Sequence, residues 1–239
     1  MKKFLIFLST ITLILGMVWN VSATTFSGTA FGQWKDVIST ESNDKYKVKN
    51  KDKGSIATFS WGTPAFHSSQ ENQFTFDGVG SDGDPKWTTA SDTAFLVGDF
   101  SYRNGSTYNS AGIDGVTLDL TLSFTDPFVQ SDSYNFDFSI TNTPNNSGDS
   151  VMDGDIVSLS QTLSDFNFTY DGILYTLELL GFSKDDGATI VNNFSSPEGG
   201  IASAGVYAQI TSNPVPEPGT MLLFGFGVLG LAGISRKSK

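Results

Sequence analysis

Apolar side chains recur at every second position from Val116 to Thr125: Val116, Leu118, Leu120, Leu122 and Phe124 alternate with Thr117, Asp119, Thr121, Ser123 and Thr125. Successive side chains of an extended chain point to opposite faces, so this stretch is a strand with one dry face and one wet face. Tyr134, Phe136, Phe138 and Ile140 repeat the pattern against Asn135, Asp137, Ser139 and Thr141. No helical period interrupts the region between the two chain ends. Further strands are predicted around Phe26, Phe31 and Trp34, at 56–64, 73–78, 94–102, 155–160, 165–170, 173–180 and 203–211. Asn104-Gly105 is predicted to supply a turn that tolerates positive φ. About ten strands separated by turns define an all-β, two-sheet β-sandwich, jelly-roll or immunoglobulin-like.

The core of such a sandwich has to come from packing alone, because the chain has no cysteine. Twenty Phe, seven Tyr and four Trp supply the material. Lys45, Lys47, Lys49, Lys51 and Lys53 fall on one face of an extended segment, an arrangement that blunts an edge strand against unwanted pairing.

The two ends have a different character. Lys2 and Lys3 precede an apolar run from Phe4 to Val18, and Val21-Ser22-Ala23 offers small side chains for cleavage, so residues 1–23 read as a secretory signal peptide cut after Ala23. At the other end, Val215-Pro216-Glu217-Pro218-Gly219-Thr220 leads into an apolar segment at 221–234, followed by Arg236, Lys237 and Lys239. A helix over those apolar positions would rise about 21 Å against a hydrocarbon core of roughly 30 Å, a marginal span with its basic end on the cytoplasmic side. Gly225, Gly227 and Gly230 spell a dinucleotide-type glycine pattern there. That motif needs an acidic residue about 20 positions on, and the sequence shows none.

Residues 214–239 resemble the PEP-CTERM sorting signal of exported bacterial proteins. The resemblance rests on Pro216, Glu217 and Pro218, on the apolar segment, and on the cluster containing Arg236 and Lys237. It implies that the chain is the substrate of an exosortase-type membrane protease, reached through the export machinery. It further implies a transient inner-membrane anchor and transfer to the cell surface or to exopolysaccharide. The body, 24–213, has its own resemblance. Ser60-Trp61-Gly62-Thr63-Pro64, the run from Phe95 to Gly105, Asn142-Thr143-Pro144-Asn145 and Asp155-Ile156-Val157-Ser158-Leu159 are similar to the choice-of-anchor K domain and its THxN relatives. Where that pattern has a Thr-His pair before Asn104, this chain has Ser101-Tyr102, so no histidine role carries over.

Charge narrows the partners. Residues 24–213 hold nine Lys plus Arg against 24 Asp plus Glu, which opposes binding to nucleic acid. His67 is the only histidine; beside Ser68 and Ser69 it is the sole material for a Ser-His-Asp arrangement, and no G-x-S-x-G elbow occurs. A turn residue is the better reading, and no catalytic activity is expected. No cofactor is expected either, with calcium the one candidate: Asp77, Asp82 and Asp84 in one loop, and Asp149, Asp153 and Asp155 in another, offer clustered hard ligands. Thr117, Thr121, Ser123 and Thr125 form a hydroxyl-rich face suited to glycans or ice, interrupted by Asp119. The expected function is a surface- or exopolysaccharide-associated structural or adhesive protein of a biofilm matrix. The alternatives are a carbohydrate-binding module with calcium-stabilised loops, a hydrolase, and an ice-binding surface protein.

Overall fold

A computed structural model describes residues 23–40, 46–50, 56–80, 85–108, 113–159, 166–213 and 226–227. All its named elements are strands: β1 (Thr25–Ser39), β2 (Tyr46–Lys49), β3 (Ile56–Trp61), β4 (Asn72–Gly78), β5 (Trp87–Ala90), β6 (Ala94–Arg103), β7 (Ile113–Asp126), β8 (Gln130–Thr141), β9 (Asp155–Leu159), β10 (Phe166–Tyr170), β11 (Ile173–Ser183), β12 (Asn193–Ser196) and β13 (Ile201–Asn213). They form two antiparallel sheets packed as a sandwich. One is six-stranded in the order β12-β9-β8-β7-β1-β5, and the other seven-stranded in the order β10-β11-β13-β6-β4-β3-β2. Among the described residues no helix is long and apolar enough to cross a membrane. Of the expected signal peptide, 1–23, all but Ala23 lies outside the described residues, as does the apolar segment 221–234 save for Phe226 and Gly227.

The alternation in β7 and β8 sets the dry face of the first sheet: Leu118, Leu120, Leu122, Phe124, Tyr134, Phe136 and Phe138 are all buried. β1 runs across the second sheet. Phe26 near its start meets Phe168 of β10 and Tyr175 of β11 edge-on, at 5.7 and 5.1 Å between ring centroids. Trp34 farther along meets Phe59 of β3, Phe74 of β4 and Phe100 of β6. Between those anchors the inward positions are small, Gly28, Ala30 and Gly32, because rings from neighbouring strands occupy the space. A Cβ on Gly28 would collide with the Trp87 ring and the Ser123 carbonyl, and one on Gly32 would lie 2.6 Å from Phe76 and 2.7 Å from Leu118.

β2 is the terminal strand of its sheet with every residue exposed, in keeping with the lysine alternation; Lys47 pairs with Glu71 at 3.2 Å. Lys45, Lys51 and Lys53 lie outside the described residues. Two strands, β5 and β12, were not predicted. Each has four residues, too few to display a period. Gly105 does not use the conformational freedom that Asn104-Gly105 was expected to tolerate, since it is not among the left-handed glycines. Its lack of a side chain is required instead by the Gln70 carbonyl, which sits where a Cβ would be.

β13 sets the long axis. Its first residue pairs with Arg103 of β6 and its last with Leu174 of β11, about 40 Å apart at the rise of a strand. Thr24 lies at the Asn213 end: its Oγ1 is 2.8 Å from the Tyr175 hydroxyl, and Tyr175 pairs with Ser212. Asp92, at φ 64°, closes this pole by accepting the Ser212 amide at 3.0 Å and the Ser212 hydroxyl at 2.8 Å. Both boundaries of the body therefore leave from one pole.

Candidate functional site at the far pole

At the opposite pole, where β6 ends and β13 begins, polar side chains turn inwards. The Tyr102 ring is fully buried, 5.8 Å from Trp61 and nearly parallel to it. Its hydroxyl donates to Asp155 Oδ2 at 3.0 Å, joining β6 of one sheet to β9 of the other. The second oxygen of Asp155 accepts the Thr143 amide at 2.8 Å. Burial pushes the Asp155 carboxyl above the ordinary aspartate value, against the two donors, which pull it down. Burial also drives the Tyr102 hydroxyl far upwards, helped by the Asp155 charge, so it remains a donor throughout the working range. Beside this pair Asn104 Nδ2 donates to the Ser196 carbonyl at 3.2 Å, Ser196 Oγ donates to the Tyr102 carbonyl at 2.8 Å, and the Gly105 amide donates to Asn72 Oδ1 at 2.7 Å. The cluster is a clasp between sheets in which the buried Tyr102 hydroxyl and Asp155 carboxylate are paired as burial demands, while the Trp61 indole nitrogen beside them has no hydrogen-bond partner among the described residues. Alternation concealed it: Tyr102 reads as one more core aromatic, and nothing near it in sequence announces Asp155.

The carboxylates proposed for calcium separate into distinct duties. Asp149 Oδ1 accepts the Val151 amide at 2.9 Å, and Asp153 accepts the amides of Ser147 at 3.0 Å and Gly148 at 3.2 Å. The Ser147 hydroxyl and these amides hold the Asp153 carboxyl below its usual value. Asp155 serves the clasp. Asp77 lies on β4 opposite Asp99 of β6, while Asp82 and Asp84 are outside the described residues. Among the described residues no group of three His, Asp or Glu side chains is placed to hold a metal ion.

His67 and Ser68 stand exposed on the turn after Pro64. Ser69 Oγ is engaged with the backbone of Phe66, accepting its amide at 2.8 Å and donating to its carbonyl at 2.9 Å. The hydroxyl face of β7 continues across β8, where Thr121 meets Ser133 at 2.7 Å and Ser123 meets Ser131 at 2.8 Å. These hydroxyls are thus bonded to one another. Lys35 bridges Asp119 at 3.0 Å, which places an ion pair in the middle of the face.

Two grooves open on this part of the body. The larger, about 510 Å³, has an apolar floor including Phe182 and Phe194 and a rim of Lys184, Asp185 and Asn193; Lys184 Nζ lies 5.2 Å from the centre of the Phe194 ring. The smaller, about 350 Å³, lies directly over the clasp, between Arg103-Asn104-Gly105-Ser106 and the Phe66–Gln70 turn.

Fold and site together define an acidic all-β body whose described ends, Thr24 and Asn213, lie at one pole, with two grooves towards the other. Residues 214–237 match the PEP-CTERM protein-sorting motif. A motif of this kind supports export, transient membrane anchoring and processing by an exosortase, a membrane protease. No curated protein is similar enough to the chain to count as a match. Pro216, Glu217, Pro218, Arg236 and Lys237 fall inside the matched segment and outside the described residues, and Ala23 is the first described residue.

Proposed function

We propose that the exported body is retained at the cell surface or in the extracellular polysaccharide matrix as a structural or adhesive protein. The observation that carries this reading is polarity. Thr24 and Asn213 sit together at one pole, and the grooved surface lies about 40 Å away at the other. A chain held by its end at 214–237 thereby directs its grooves away from the point of attachment. Trp61, Tyr102, Thr143 and Asp155 meet at the same pole: Trp61 lies against Tyr102, and Tyr102 and Thr143 both bond Asp155.

The test is fractionation of cells producing the native chain and a variant with Pro216, Glu217 and Pro218 all changed to Ala. The native protein is expected in the surface or matrix fraction, shortened at both ends by mass spectrometry, with the variant held in the inner membrane. Loss of the protein should also weaken adhesion of the cells. Cytosolic protein retaining Met1 and Lys239 would sink the reading.

A further inference from the structure

We propose that the groove over the Tyr102–Asp155 clasp binds a segment of neutral polysaccharide, with one sugar ring lying against Phe66. This deepens the surface-retention reading above and rests on it for the source of the ligand. Phe66 is 70% exposed, yet it is not loosely held: its amide and carbonyl are both bonded to Ser69 Oγ, and its carbonyl also accepts the Ser69 amide at 3.1 Å. The neighbouring segment is pinned as well, through the Ala65 amide on the Ser106 carbonyl at 2.9 Å and an antiparallel bridge between Pro64 and Thr107. A large ring carried on a backbone held in this way presents a flat apolar face to whatever enters the groove.

The rest of the groove is polar and equally fixed. Arg103 Nε donates to the Glu71 carbonyl at 3.1 Å, which sets the plane of a guanidinium whose other nitrogens add donors along the wall. Ser106 Oγ donates to Glu198 Oε1 at 2.9 Å on the opposite side. The floor, Asn104 and Gly105, is tied to Gly200, Ser196 and Asn72. Gln70 and Ser68 complete the rim with an amide and a hydroxyl. One flat apolar face surrounded by paired donors and acceptors matches a pyranose, which presents axial C–H groups on its face and hydroxyls around its edge. A lipid or apolar peptide would need an apolar wall that this groove does not supply. A polyanion is disfavoured by nine cations against 24 acids in residues 24–213, and by Glu198, which is bonded to the lining Ser106. Preorganisation of the walls lowers the ordering cost that weakens sites on mobile loops.

The experiment is affinity electrophoresis of the processed protein recovered from cells, in gels containing a mixed-linkage β-glucan, a galactomannan or polygalacturonate. Retardation by at least one of the neutral polymers is expected, with none by polygalacturonate. Phe66→Ala should weaken that retardation roughly tenfold, the scale of one lost aromatic contact. Tyr108→Ala, which removes another ring that is 74% exposed but does not line the groove, should leave it unchanged. Thermal melts of both variants check that they fold like the native protein. Migration unaffected by either neutral polymer, retardation by polygalacturonate alone, or equal retardation of the native and Phe66→Ala proteins would each overturn the proposal. Those results leave fractionation untouched, so a failed groove and a failed surface assignment are told apart.

Discussion

Tyr102→Phe isolates the bond that joins the sheets. The change keeps the ring against Trp61 and Phe74 and deletes only the hydroxyl, so Asp155 retains the Thr143 amide and loses its other donor. A hydrogen bond to a charged acceptor contributes about 1.5–3 kcal/mol, and at this chain length each kcal/mol moves Tm by about 2–4 °C. A fall of about 3–12 °C at pH 7 is expected. The pH dependence carries a sign. The folded Asp155 carboxyl titrates above its unfolded value, so its contribution to stability is fully present below the unfolded value of about 3.9 and is lost as pH rises through the folded value. Removing the tyrosine donor raises the folded value further, because one of the groups favouring the charged form has gone. The Tyr102→Phe penalty should therefore be larger at pH 7 than at pH 4.5, read by differential scanning calorimetry. Asp155→Asn should flatten the difference between the two pH values, since its amide can accept from Thr143 and donate to the Tyr102 oxygen. A Tyr102→Phe protein within about 0.5 kcal/mol of native at pH 7, or one equally destabilised at both pH values, would refute the reasoning.

Two further outcomes test the packing and the loops. Gly32→Ala places a methyl against Phe76 and Leu118 in the centre of the sandwich, and overpacking of this kind should cost about 1–3 kcal/mol in urea unfolding; an unchanged midpoint would show that the rings yield. The Ser183 hydroxyl, followed by the Thr189 amide, holds the Asp185 carboxyl below its ordinary value. The stabilisation it provides is present above pH of about 3.9 and is lost as pH falls through the folded value. The Thr189 amide shift in NMR should accordingly titrate with a midpoint below that figure and cease to titrate in Asp185→Asn; a midpoint at or above it would contradict the bonded geometry.

Strands with a sustained period were legible in advance. Val116–Thr125 and Tyr134–Thr141 lie as adjacent strands β7 and β8, and the lysine alternation around Tyr46 does sit on a sheet edge. β5 and β12 were not legible, because four residues such as Trp87-Thr88-Thr89-Ala90 carry no period, and Trp87 has its place only because Gly28 leaves room for it. The clasp was hidden for another reason. Tyr102 and Asp155 are 53 positions apart, and strand order, which local pattern does not encode, is what brings them together. Proximity in sequence says less about such side chains: Asp149, Asp153 and Asp155 are near neighbours along the chain, and each accepts from a separate set of donors. Phe66 stood unremarked beside His67, for exposure is a property of the fold.

The ladder of β13 runs to Asn213, where Asn213 Nδ2 still reaches Thr176 Oγ1 at 2.9 Å, and the sorting match opens at residue 214. No slack of unpaired chain separates the two. Scission anywhere within 214–237 would spare every rung of that ladder, so release changes where the molecule is moored without remodelling it, and the liberated particle needs no refolding step before it can work.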